Sequence, residues 1–245
     1  MSVTVGNAGP TVDNLVIDGN DINGSTVTPN TGAIKTVKIE AVVSDDNGYG
    51  DVSSVICTTP KGSVGLIATS IVDETTRNWN GSFNMEFYDN PQIYNIECTA
   101  TDANTDTGSR LENFDYDTLT ALELDSDTIA FGSMTPGATR TITGDTSMAT
   151  PNNSTIQNYG NVEIDATIAG TDLSDGGSNT ITVNNAEYQF SALGFSTMST
   201  SATPVNINLA KGSSSTTNVD FRLSVPEATQ VASYDGGTTI TATSS

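Results

Sequence analysis

Around residue 44 the chain changes from one hydrophobic pattern to another. Val37, Ile39, Ala41 and Val43 alternate with Lys38 and Glu40, the period of two expected of a β-strand with one buried face. Asp45, Asp46, Asn47, Gly48, Tyr49, Gly50 and Asp51 follow, an acidic run of turn-forming residues. A strand that ends by delivering oxygen-bearing side chains into a loop is the unit this sequence repeats.

The same alternation predicts strands over 11–17, 34–44, 52–58, 64–71, 79–88, 92–101 and 110–114. Phe83, Met85 and Phe87 form one inward row, and Tyr94, Ile96, Cys98 and Ala100 another. Short strands at this spacing read as an immunoglobulin-like sandwich. Past residue 116 the pattern resumes, with strands expected over 119–124, 138–143, 156–168, 180–184, 186–190, 205–209, 218–225 and 238–243. Asn158, Tyr159, Gly160 and Asn161 interrupt the third of these as a turn, and 144–155 reads as a long polar loop. The expected fold is all-β: two tandem immunoglobulin-like β-sandwich domains, residues 1–116 and 117–245.

Composition narrows the setting. Serine and threonine make up about a quarter of the 245 residues, which suits strands joined by polar turns. The formal charge is −21, because only 8 Lys and Arg face 29 Asp and Glu. No basic patch can form on such a surface, so nucleic acid is excluded as a partner. No apolar run reaches the roughly 20 residues of a membrane helix, so direct membrane insertion is not expected. The opening residues, MSVTVGNAGP, have neither the basic nor the apolar part of a signal peptide. The expectation is a mature or trimmed form of an extracellular chain.

There is no histidine. That removes Ser-His-Asp and Cys-His catalysis and histidine ligation of zinc or copper. Cys57 and Cys98 are the two cysteines, placed on neighbouring strands of one predicted sheet. Two readings stand for them: a cross-strand disulfide, or two buried thiols acting as small apolar side chains.

Several short motifs look familiar. Phe131 and Gly132, then Pro136 and Gly137, then Asn158, Tyr159, Gly160 and Asn161, then Gly170, Thr171, Asp172 and Leu173 occur in an order that resembles immunoglobulin-like modules of large archaeal and bacterial surface proteins. The ending FRLSVP through SYDGGTTITA is similar to the final hairpin of such modules. VSDDNGYGDVSSV and the Y-x-I-x-C-x-A-T-D pattern at 94–102 look like the module that precedes it. The resemblance implies a cell-surface, S-layer-like or surface-filament setting, and it carries no catalytic residues.

One constellation carries chemistry. Asp45, Asp46, Asn47 and Asp51 fall in one predicted loop, and Asp102, Asn104 and Asp106 in another, at D-x-N-x-D spacing. Immunoglobulin-like order brings these loops to the same end of the first domain. Hard oxygen ligands converging from two loops suit Ca²⁺, which takes six to eight of them. Asp18, Asp21, Asp89, Asp115 and Asp117 are expected at the opposite end. Against both stands the plain role of Asp, Asn and Gly as turn formers, and neither loop completes an EF-hand pattern. Sequons at Asn23, Asn80, Asn152 and Asn153 occur no more often than chance gives in so Asn- and Ser-rich a chain. Paired carboxylates of a glycosidase and a Lys–Asn isopeptide at Lys35 or Lys38 are weaker readings.

The leading expectation is a non-enzymatic, extracellular structural protein that assembles with copies of itself into a filament, S-layer or sheath. Residues Ser2, Val3, Thr4 and Val5, or 238–243, are candidates to add as a strand to a neighbour's sheet. The alternative is an adhesin or carbohydrate-binding surface module that does not polymerise. A virion component and a secreted hydrolase are more distant.

Overall fold

The computed structural model describes residues 1–20, 24–191 and 193–245. The chain divides into two compact units, Met1–Leu119 and Thr120–Ser245. The fold is all-β; among the described residues the helical content is one 3-10 turn, Val183–Asn185.

In the first unit β1 (Thr11–Ile17), β3 (Lys35–Ser44), β7 (Thr76–Met85) and β6 (Ile67–Ile71) make one sheet in the order β1-β3-β7-β6. β2 (Ser25–Val27), β9 (Thr107–Tyr116), β8 (Gln92–Asp102), β4 (Val52–Thr59) and β5 (Gly62–Gly65) make the other, in the order β2-β9-β8-β4-β5. In immunoglobulin lettering these are A-B-E-D and G-F-C with short additions at each edge. The inward rows of both sheets meet in one core that includes Leu15, Ile39, Val43, Trp79, Ile96 and Phe114. Tyr94 closes the entry to β8 by donating its hydroxyl hydrogen to the Asn90 carbonyl at 3.0 Å.

The sequence pattern predicts a single strand over 64–71, and the structure corrects this. Leu66 is buried and its N–H donates to the Val55 carbonyl at 2.8 Å. There the chain crosses from one sheet to the other, leaving β5 and β6 in different layers. The strand expected over 79–88 also lies earlier, at 76–85, because a turn begins at Glu86. The Glu86 N–H donates to the Asp89 carboxylate, and the Asp89 N–H returns to the Glu86 carbonyl.

Cys57 and Cys98 stand directly opposite each other on β4 and β8, both fully buried. They form a disulfide, with Cα atoms 3.9 Å apart. It joins neighbouring strands of one sheet rather than the two layers.

In the second unit β10 (Leu122–Leu124), β12 (Thr155–Asn158), β19 (Thr216–Ser224), β16 (Ala186–Phe190) and β17 (Ser196–Thr197) follow one another in a sheet, and β11 (Thr139–Ile142) also pairs with β19. β18 (Thr203–Leu209), β13 (Ile164–Gly170) and β20 (Thr238–Ser244) form a second sheet with β13 at its centre. β14 (Leu173–Ser174) and β15 (Thr180–Ile181) make a small ribbon. Ile156, Tyr188, Phe190, Val219 and Phe221 from the first sheet pack with Ile164, Ala166, Ile168 and Leu209 from the second. The turn predicted at 158–161 is present and buried. Asn158 donates its amide hydrogens to the carbonyls of Val162 at 2.8 Å and Leu209 at 3.0 Å, and its side-chain oxygen accepts the Gly160 N–H at 2.8 Å.

Candidate metal centre

β3 ends at Ser44, and Asp45 begins a tight turn. Its Oδ1 accepts the Asn47 N–H at 2.8 Å, and its carbonyl accepts the Gly48 N–H at 2.9 Å. Gly48 holds a φ of 111°, a backbone conformation that side chains oppose. The Asp51 N–H then bonds the Gly48 carbonyl, and β4 starts one residue later.

The second loop is built the same way at the end of β8. Asp102 Oδ1 accepts the N–H groups of Asn104 at 2.9 Å and Asp106 at 2.8 Å. The pairing of Val52 with Asp102 sets Asp51 beside it, and the Ala103 N–H donates to the Asp51 carbonyl at 2.9 Å. The carboxylates of Asp45, Asp51 and Asp102 each bring an oxygen within 4.8 Å of the other two.

Burial and charge act together here. Asp45 is 2% exposed, and its Oδ2 is buried with no hydrogen-bond partner. Asp51 is half-buried. Its pKa is raised, first by burial and then by the charges of Asp45 and Asp102. Asp102 moves the other way, its carboxyl held low chiefly by the Asn7 amide and further by the backbone N–H groups of its own loop. The ion pairs of the first unit take up Asp18, Asp89 and Glu112 elsewhere, and among the described residues no Lys or Arg pairs with the three carboxylates.

The structure therefore gathers three of the seven predicted ligands. Asp46 is exposed and stands outside the group, because the turn at Asp45 directs the next side chain outward. The Asn47 side-chain oxygen is occupied by the Ala8 N–H at 2.7 Å. Asn104 and Asp106 are exposed and meet Asn7 instead. Asn7 is the residue that sequence reasoning misses. Its Nδ2 donates to Asp102 Oδ2 at 2.7 Å and Asp106 Oδ2 at 2.9 Å, and its Oδ1 accepts from Asn104 Nδ2 at 2.7 Å. The lead reaches this point because β9 lets it pass close by: a Cβ on Gly108 would stand 1.9 Å from the Pro10 carbonyl oxygen.

Of the carboxylates expected at the other end of the first domain, Asp18 is paired with Lys35 at 2.8 Å and Asp89 with Lys61 at 2.6 Å. Asp21, like the Asn23 sequon, lies outside the described residues. Residues 2–5 belong to no strand, and Val3 and Val5 are 86% and 81% exposed.

No protein-family model matches the chain, and no curated protein does. Among solved structures, an engineered protein aligns at 16% identity over 45% of this chain and 21% of its own, with a TM-score of 0.27. The α-L-rhamnosidase of Streptomyces avermitilis aligns at 8% identity over 96% of this chain and 24% of its own, TM-score 0.29. The chain thus spans about a fifth to a quarter of these two proteins. A chaperone–tip adhesin complex of CFA/I fimbriae aligns at 11% identity over 96% of this chain and 85% of its own, TM-score 0.34. Likenesses at this level fix neither fold nor function. The strand order and the side chains are what the chain offers.

Proposed function

We propose that this chain is a non-enzymatic structural protein of an extracellular surface, and that it assembles with copies of itself by strand addition. One observation carries the assembly. Residues 2–5 are an alternating Ser-Val-Thr-Val segment outside every sheet, with both valines exposed. An open edge is available to receive such a segment. β6 is the last strand of its sheet, and Ile67, Ile71 and the following Val72 are all at least half exposed. An apolar strand edge left open in this way is a template for pairing with another chain. Main-chain hydrogen bonds would give the contact its strength, and alternate side chains its register. A head-to-tail contact of this kind builds an open filament.

The setting rests on chemistry rather than on relatives. A buried disulfide suits an oxidising compartment. The strongly acidic surface suits solubility outside the cell. Without histidine, the chain lacks the usual general base near neutral pH.

Negative-stain electron microscopy and light scattering of the full chain test this, beside a variant lacking residues 2–5. Regular filaments or sheets from the intact chain, dispersed in the deletion, are the expected result. Dispersed particles from both would overturn the assembly reading and return the choice to a monomeric adhesin or carbohydrate-binding module.

A further inference from the structure

We propose that Asp45, Asp51 and Asp102 hold one Ca²⁺, and that the Asn7 side chain turns its carbonyl oxygen onto the ion, so that the metal clamps the N-terminal lead onto the two loops.

Proximity of carboxylates alone would not show a site. The decisive feature is Asp45 Oδ2, an oxygen with no donor in a side chain that is 98% buried (2% exposed) and belongs to the group. A buried carboxylate oxygen left unpaired is costly, and a cation is the partner its neighbours select. Three carboxylates from two loops supply negative charge that no Lys or Arg of the described residues offsets. The donor set is oxygen only, without histidine or a free thiol, which selects a hard ion. Loops with several carboxylates and a side-chain amide suit the larger, more adaptable shell of Ca²⁺ better than the strict octahedron of Mg²⁺.

Asn7 supplies the coupling. Its amide nitrogen sits between the carboxylates of Asp102 and Asp106, offering the partial positive charge available without a metal. The Asn104 amide donates to the Asn7 oxygen. If both amides turn over, that bond survives with donor and acceptor exchanged, and the Asn7 oxygen faces the carboxylates. Oxygen against oxygen is repulsive there until a cation stands between them, so the ion itself drives the turn. The Ala8 N–H already holds Asn47 at 2.7 Å, so the lead lies on the loops before the ion arrives. All the ligands belong to one chain, so Ca²⁺ can bind whether or not the chain self-associates.

The test uses the full chain, stripped of metal and checked for folding by circular dichroism. Calorimetric titration with CaCl₂ should give one site, with MgCl₂ weaker by at least about tenfold. Hydrogen exchange should slow over residues 1–10 on adding Ca²⁺. Asp45→Asn should weaken binding about a hundredfold, and Asp51→Asn, at a half-buried position, repeats the test should the first variant fail to fold. Asn7→Ala should keep one site, weaken it about tenfold and erase the exchange protection, and Asn7→Asp should restore both. No heat or native-mass shift up to about 10 mM Ca²⁺, well above the range of extracellular modules, overturns the site. Unchanged affinity in both aspartate variants also overturns it. Unchanged protection in Asn7→Ala overturns the clamp.

Discussion

Asp45 in the first unit and Asp145 in the second do the same job with opposite results. Each follows a strand and organises a polar loop. Asp145 spends both oxygens on its own loop: Oδ1 accepts the Ser147 N–H at 2.7 Å and the Thr155 hydroxyl at 3.0 Å, and Oδ2 accepts the Thr150 hydroxyl at 2.6 Å and the Asn153 amide at 3.1 Å. Asp175 does likewise with Gly177 and Asn179. Asp45 binds its loop with Oδ1 alone and leaves Oδ2 buried and bare. An aspartate that closes its own turn is structure. An aspartate with an oxygen to spare beside two other carboxylates is a candidate ligand. The difference lies in how many donors stand within reach, which residue type alone does not reveal.

The two units differ in the same sense at larger scale. The first contains the disulfide, while the second has no cysteine and ties its loops with side-chain hydrogen bonds such as those of Asp145 and Asn158, although Asp125 Oδ2 is buried there without a partner. Breaking the disulfide should have the largest effect. For a loop closed over a separation of 41 residues, chain entropy gives a loss of about 4 kcal/mol. In a Cys57→Ala, Cys98→Ala double variant, hydrogen exchange should quicken across 1–119 and stay unchanged across 120–245. Equal loosening of both would show that the two units do not differ in this way.

The second unit has its own counterpart in Asn158, fully buried, whose side chain bonds Gly160 and Val162 around its own turn and the Leu209 carbonyl of β18: two carbonyls and one N–H. Asn158→Ala strands all three groups, and a loss of about 3 kcal/mol follows from the cost of unpaired buried polar atoms. Asn158→Asp should do nearly as much harm, because a carboxylate cannot donate to Val162 or Leu209. Urea unfolding measures both. A loss under about 1 kcal/mol would mean that water replaces the amide, and that this unit is less closed than its hydrogen bonds suggest.

Much of this was legible beforehand, and the exceptions share a cause. Strands 11–17 and 186–190 have the bounds the sequence predicts, because one buried face writes a period of two, although a bulge between Val12 and Asn14 shifts that period within β1. The break at Leu66 leaves no such trace. Alternation records which way a side chain points, not which sheet its strand joins, so 64–71 read as one element. The acidic loops were visible as DDNGYGD and D-x-N-x-D. Which three of the seven residues converge depends on the pairing of Val52 with Asp102, a property of the folded sheet. Asn7 was invisible because its partners lie 95 and 99 residues further along, and no local pattern spans that distance.

The smallest expected effect is the sharpest separation of the two aspartate environments, because it acts in opposite directions with pH. Asp145 is held down to about 2, first by the Thr150 hydroxyl, then by the Ser147 N–H and the Asn153 amide. Its ordinary value is 3.8, so its contribution is complete above that value and is lost as pH falls toward 2. Asp102 behaves the same way, with a lowered pKa. Asp51 has the opposite sign. Burial and the charges of Asp45 and Asp102 raise it, so the fold favours its protonated form and loses that contribution as pH climbs above 3.8. Hydrogen exchange in metal-free buffer should therefore show protection in 1–119 falling slightly as pH rises past this value, after correction for the intrinsic rate, while 120–245 gains slightly up to 4.5, the ordinary value of the Glu187 carboxyl that Arg222 holds low, and stays flat above it. Asp51→Asn should abolish the slope. Ca²⁺ should reverse it, since the ion favours the ionised carboxylate. A slope that survives Asp51→Asn would place the titrating group elsewhere and remove the contrast between the two loops.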